Sequence, residues 1–193
     1  MRLPLFPLDT VLFPGCILDL QLFEARYLDM ISRCLKAGHG FGVVRILQGL
    51  EVGPAATAFA TIGCEAVIRD WQQQPNGLLG IRVQGHRCFE IEHTEVQADH
   101  LILGEVLWRT EPDDAPLDDR HADLVALLDA LRQHPMVRSL GMGDTITGCR
   151  ALADQLAYLL PFQPEHKLEL LQMDDADARL QRIQVLLERM QGD

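Results

Sequence analysis

The chain has 193 residues, 48% hydrophobic and 23% charged, which excludes fibrous and disordered classes and leaves room for one compact unit or two small ones. Seventeen bases against 28 acids give a formal charge of −11, a field that repels phosphate backbones and disfavours a nucleic-acid partner unless a basic stripe overcomes it. No such stripe is present: only Lys36 and Lys167 are lysines, and the arginines are scattered singly. The five cysteines, Cys16, Cys34, Cys64, Cys88 and Cys149, contain no C-x-x-C pair, so neither a disulfide framework nor a zinc ribbon is expected.

The opening MRLPLFPLDT lacks the apolar core and cleavage site of a signal peptide, and no apolar run approaches the ~18 residues of a membrane span. A soluble, cytoplasmic chain without a membrane partner is the expectation. Pro4, Pro7 and Pro14 cut the start into short extended pieces, predicting strands at Leu3 to Phe6 and Thr10 to Phe13. Tyr27, Met30, Ile31, Cys34 and Leu35 then follow helical spacing, and Gly38 supplies a left-handed stop.

From Phe41 to Trp108 the pattern is β. Short apolar runs at Phe41 to Leu47, Glu65 to Arg69, Leu79 to Val83, Arg87 to Glu92 and Leu101 to Trp108 predict five strands, with Pro75-Asn76-Gly77 as a hairpin turn. Such a set describes an antiparallel barrel or sandwich carrying one early helix. Glu111 to Asp119 is a polar, proline-containing break, placing a boundary between a β-rich part, 1–110, and a helical part, 111–193. The charge divides there too, at −3 and −8.

In the second part Leu124, Leu127, Leu128 and Leu131 form one apolar stripe, and Cys149, Leu152, Ala153, Leu156 and Leu160 another that Pro161 ends. Pro164 opens a short helix through Leu171. Asp174 or Asp175 caps a last helix whose apolar positions are Leu180, Ile183, Leu187 and Met190.

No catalytic constellation emerges. The two serines, Ser32 and Ser139, lack a nucleophile elbow, and Lys36, four residues after Ser32, sits at a helix end where a lysine stays solvated. Cys34 and Cys149 fall on apolar helix faces. Cys88 with His86 is half a metal or thiolate site without a second half, and reads as a buried thiol beside a surface histidine. Asp119 and Asp123 beside His121 suit a helix start better than a metal. Gly38-His-Gly-Phe-Gly42 and Gly141-Met-Gly143 match no nucleotide-binding motif. No cofactor is expected, and elimination points to binding.

Leu3-Pro-Leu-Phe-Pro-Leu8, Val11-Leu-Phe-Pro-Gly15 and Leu22-Phe-Glu-Ala-Arg-Tyr27 closely resemble the start of the Lon protease N-terminal (LON substrate-binding) domain. Phe41-Gly-Val-Val44, Gly49 with Glu51-Val-Gly53, Ile62-Gly63 with Glu65-Ala, and Gly85-His-Arg-Cys-Phe89 follow in that family's order. Ala153-Asp-Gln-Leu-Ala157, Lys167-Leu-Glu-Leu-Leu171 and Arg179-Leu180 are similar to its helical part. Two departures stand out: Cys64 replaces a usual small hydroxyl residue, and Cys88 separates an arginine and a phenylalanine that more often adjoin.

The resemblance implies an α+β fold, a PUA-like β-barrel or pseudobarrel with one helix followed by an α-helical bundle. It also implies a stand-alone bacterial domain that binds polypeptide or protein partners and lacks the ATPase and Ser-Lys peptidase modules of Lon, hence no enzyme. RNA binding, known among PUA-like barrels, is the alternative that the charge opposes. Pro14-Gly15 is expected to turn the chain between the first two strands, with Phe6, Leu12 and Phe13 packing into the barrel. Glu24 and Arg26 are expected as a helix cap and a structural ion pair. Phe13, Glu24, Arg26, Trp71 and Arg87 are the candidates for a peptide- or partner-binding surface.

Overall fold

A computed structural model describes residues 1–51, 58–143 and 146–192. Val52 and Gly53, part of one family-like motif, lie outside the described residues. The chain divides into two compact units, Met1–Arg109 and Thr110–Asp193.

The first unit is a ring of strands. β1 (Arg2–Leu8), β2 (Ile17–Leu22), β3 (Phe41–Gln48), β4 (Ala58–Gln73), β5 (Leu79–Val96) and β6 (Ile102–Trp108) pair in the order β2-β5-β4-β3-β1-β6, and β5 also pairs with β6. That last pairing closes five strands into a pseudobarrel and leaves β2 alongside β5. The ring is mixed, because β1 runs parallel to β3, Leu5 opposite Gly42.

The second expected strand is displaced in the fold. Val11, Leu12 and Phe13 are buried without joining a strand, Pro14 and Gly15 turn the chain with Gly15 at φ +75°, and Ile17–Leu22 is the strand. The two runs at Leu79 and Arg87 are one strand rather than two. A bulge at their junction keeps β5 paired to β4: Cys88 faces Cys64, whereas two residues on along β4, Ala66 faces Gly85, three residues back along β5. Gly85 meets the corner before β2, donating to the Cys16 carbonyl at 2.9 Å, and a Cβ there would run into the Phe13 carbonyl oxygen.

The ring interior holds Leu3, Leu5, Val44, Phe89, Ile102 and Val106. Phe89 fits because Gly42 and Gly63 have no side chain; a Cβ on either would come within 2.6 Å or 2.5 Å of its Cζ. The helix of this unit, α1 (Ala25–Ala37), is stopped by Gly38 at φ +69°. Its inner face is Arg26, Tyr27, Met30, Ile31 and Cys34, while Leu35 is exposed because the helix rotates Arg26 inward. Tyr27 stacks on Phe6 with centroids 4.0 Å apart. The hairpin between β4 and β5 forms at Gln74 to Leu78, with Gly77 at φ +83° and the Asn76 Oδ1 accepting from the Leu78 N–H at 3.1 Å.

The second unit is helical: a 3-10 turn at Asp119–His121, then α2 (Ala122–Gln133), α3 (Pro135–Leu140), α4 (Cys149–Leu159), α5 (Pro164–Gln172) and α6 (Ala176–Gly192). Leu128, Leu152, Leu156, Leu170 and Ile183 are fully buried. Asp175 accepts from the Ala178 N–H at 2.9 Å and caps α6. In the last turns Leu186 is buried and Met190 exposed, so the stripe drifts from the 3,4,3 spacing read in the sequence.

Candidate functional site

The five candidate surface residues do not form one patch. Phe13 is fully buried, which corrects its assignment to a binding surface: a ring without solvent exposure presents nothing to a partner. Arg26 is corrected on the same ground, since only 7% of it is exposed. Its guanidinium pairs with Glu24 at 2.8 Å, donates to the His100 carbonyl at 3.2 Å and lies over the Tyr27 ring. Glu24 occupies the N-cap position of α1, yet its side chain makes no capping bond, because its carboxylate is turned to Arg26.

Arg87 belongs to a second cluster. At the β5 bulge both His86 and Arg87 come opposite Glu65, and its buried Oε2 lies 3.2 Å from His86 Nδ1 and accepts from Arg87 Nε at 2.9 Å. Arg87 also stacks on Trp108 at 3.5 Å from the ring centroid. A buried carboxylate with two cationic or polar neighbours has its charge matched, and this cluster fixes the bulge.

Trp71 is different, at 57% exposed on β4 opposite Ile81. It borders a groove of about 560 Å³ that also takes in Asp19, Leu20, Asp70, Gln72 and Arg82 from β2, β4 and β5. Arg82 grips Asp19 through two bonds of 2.7 Å and holds that carboxyl below its usual range. β2 pairs with β5 alone among the described strands, so it stands at the end of the strand order, and its Asp19 and Leu20 border this groove.

No nucleophile is activated among the groups considered. Ser32 and Lys36 are exposed on α1, and the Ser139 hydroxyl donates to the Met136 carbonyl at 2.7 Å. Burial pushes the Cys34 thiol up to about 11. His86 turns to Glu65 rather than to Cys88. Asp119 and Asp123 stand in the first turns of the 3-10 helix and of α2, as a helix start calls for, while Asp118 caps the 3-10 turn and His121 reaches inward.

That inward His121 meets two residues far away in sequence. Its Nε2 lies 2.9 Å from Asp177 Oδ1, its Nδ1 accepts from the Asp118 backbone N–H at 3.2 Å, and Cys149 Sγ stands 3.9 and 4.0 Å from the two ring nitrogens. A Cys-His-Asp set invites a nucleophilic reading, but both ring nitrogens are engaged, and burial with Asp114, Asp177 and Asp118 pushes the thiol up. Intervals of 28 and 56 residues leave no local signal by which sequence reading finds this cluster.

The fold and these sites can be set against known proteins. The model of the ATP-dependent protease La (LON) substrate-binding domain matches residues 2–189. The chain belongs to the LON substrate-binding domain family. A crystal structure of a Lon N-terminal domain protein from Xanthomonas campestris is 33% identical, with a TM-score of 0.78 over 96% of this chain and 98% of that one. The N-terminal domain of a Mycobacterium avium complex Lon protease, 20% identical, shares the fold at a TM-score of 0.65, covering 95% of this chain and 96% of that one.

Lon protease of Phenylobacterium zucineum (strain HLK1) is 24% identical over 186 residues, 94% of this chain but 24% of that protein. Lon protease of Flavobacterium johnsoniae is 24% identical over 134 residues, 69% of this chain and 16% of the relative. The chain thus spans about a quarter or less of the length of the curated relatives it matches. What matches is the substrate-binding domain, and no helix of the described residues is long and apolar enough to cross a membrane.

Proposed function

We propose that this LON domain binds extended polypeptide in the groove over β2, β5 and β4, alongside the terminal strand β2, with Trp71 as the anchoring side chain and no chemical step of its own. Membership of a substrate-binding family carries the reading. The geometry supports it, because an edge strand offers main-chain donors and acceptors that accept a partner strand with little sequence preference. An exposed indole beside Asp19 and Asp70 favours segments carrying aromatic or basic residues. Five cysteines, none in a disulfide, suit a reducing, cytoplasmic setting.

The test is a titration of the full chain into a reduced, carboxymethylated and therefore unfolded protein that carries a fluorescent label, read by the anisotropy of the label. Saturable binding with a Kd on the order of 10 μM is expected, weakened about tenfold, or 1.4 kcal/mol, by Trp71→Ala. Absence of binding at that concentration overturns the reading. Fragmentation of casein in the presence of ATP, lost in Ser139→Ala, would overturn its non-catalytic part.

A further inference from the structure

His121, Cys149 and Asp177 come from the 3-10 turn, the first residue of α4 and the first turn of α6, and their donor atoms all lie within 4.8 Å of one another. We propose that these three side chains form a zinc site inside the helical unit. The donor set is one thiolate, one imidazole and one carboxylate, and sulfur with nitrogen selects zinc over calcium and magnesium, which take oxygen alone. Cys149 is fully buried and His121 nearly so, whereas the Asp177 side chain is 27% exposed. The site therefore opens to solvent at the carboxylate, which gives an entry path and leaves the fourth tetrahedral position to water.

The distances are close to what an ion requires. Bonds of about 2.0–2.1 Å to nitrogen and oxygen and about 2.3 Å to sulfur set tetrahedral ligand atoms roughly 3.4–3.6 Å apart. His121 Nε2 and Asp177 Oδ1, 2.9 Å apart, need to separate by about half an ångström, and Cys149 Sγ, 3.9 Å from Nε2, needs to approach by about 0.3 Å. Sγ stands almost equally far from Nδ1 and donates to the Pro116 carbonyl at 3.5 Å, a bond that it gives up when the thiol proton leaves.

The surroundings already orient the imidazole. Asp118 Oδ1 lies 3.2 Å from Nδ1, placing a carboxylate behind the ligating histidine as an outer partner. Arg120 pairs with Asp118 at 2.8 Å and approaches Asp177 Oδ1 at 3.7 Å, fixing both carboxylates. On binding, the imidazole proton moves from Nε2 to Nδ1, where it donates to Asp118, and the thiol proton is released to solvent, one proton per ion. The Asp118 backbone N–H gives up its 3.2 Å contact with Nδ1, while the Arg120 N–H still caps on Asp118 Oδ1 at 3.0 Å. The ion would join the beginnings of three helical segments, so occupancy raises the stability of this unit.

The experiment uses the full chain, stripped with a chelator and titrated with cobalt, a tetrahedral stand-in for zinc with a visible spectrum. One equivalent is expected to produce a thiolate-to-cobalt charge-transfer band in the near ultraviolet that zinc abolishes. Cys149→Ser removes the band, and Cys88→Ser, at the half-buried thiol of the other unit, keeps it. Asp177→Asn, at the exposed side of the site, weakens zinc binding tenfold or more, and Asp118→Asn about tenfold. A missing band, a band that survives Cys149→Ser, or an unchanged zinc affinity in Asp177→Asn overturns the site. Should Cys149→Ser fail to fold, the Asp177→Asn titration decides. Neither result bears on polypeptide binding, which is tested on the ring unit through Trp71→Ala.

Discussion

In the ring, Phe89 sits where a side chain on Gly42 or Gly63 would strike its Cζ, whereas in the helical unit a deeply buried contact is ionic, Arg179 of α6 against Asp154 of α4. Arg179 also donates to the Met173 carbonyl, so the guanidinium joins α4, α6 and the end of α5. Arg182 to Glu169 and the Lys167 ammonium to the Tyr158 carbonyl add further polar ties between helices. The ring thus owes its specific packing to side chains that are missing, and the helical unit to charges that are matched. A missing side chain limits what can be added, while a matched charge limits what can be removed.

Both tryptophans, Trp71 and Trp108, lie in the ring, so their fluorescence follows that unit, while the far-ultraviolet circular dichroism is dominated by α2 to α6 of the other unit, with a smaller share from α1. The largest effect is expected from Asp154→Ala, which strands a buried guanidinium at a cost of about 3–5 kcal/mol. In urea it should move the dichroism transition and leave the fluorescence transition in place; coincident shifts would show that the two units unfold as one. Gly63→Ala should do the reverse, moving the fluorescence transition by about 1–3 kcal/mol, because its Cβ meets both Phe89 and the Val43 carbonyl.

Asp154 also sharpens the contrast through pH. Burial pushes its carboxyl up to about 7 from 3.8, more than Arg179 and Arg150 pull it down. An acid raised in the folded state is bound to a proton more often there than in the unfolded chain, so its contribution is complete below about pH 4 and is lost as pH rises to about 7. Asp154→Asn should flatten the decline of helical-unit stability across that window, and an unchanged slope would refute the assignment. The smallest effect is expected from Arg82→Ala: its bidentate pair with Asp19 is exposed, and its loss should change ring stability by no more than about 1 kcal/mol.

What was legible in the sequence was local chemistry. The Gly38 stop, the Asn76-Gly77 turn, the Pro161 end of α4 and the Asp175 cap each depend on one or two neighbouring residues, and all are present. What escaped depends on distant partners. Thr10 to Phe13 carries strand-like residues but finds no neighbour to pair with, whereas Ile17–Leu22, whose outer positions are Asp19 and Gln21, is completed by β5. The parallel pairing of β1 with β3 leaves no mark in either strand, and β5 continues through Gly85 because the Gly15-Cys16 corner supplies the hydrogen bonds there.

The candidate surface followed the same division. Trp71 could be picked out as a large aromatic in a polar stretch, and it is exposed. The inward turn of Arg26 required knowing that the His100 carbonyl, held at φ +65° in the β5–β6 turn, faces α1. The shared grip of His86 and Arg87 on Glu65 required the bulge.

Ring closure has a consequence for how the protein is made. The strand that begins the unit, β1, is paired on one side with β6, Arg2 facing Glu105 and Leu5 facing Ile102. A ribosome synthesising about 5–20 residues per second needs on the order of 5–20 s to extend the chain from one to the other. Throughout that interval the nascent ring has a gap on that side of β1, and the apolar residues of its interior await their last wall. A chaperone that shields an unpaired strand edge would find its substrate in this window, and arrest of translation just before Ile102 should trap a protease-sensitive species that extension past Trp108 converts to a resistant one.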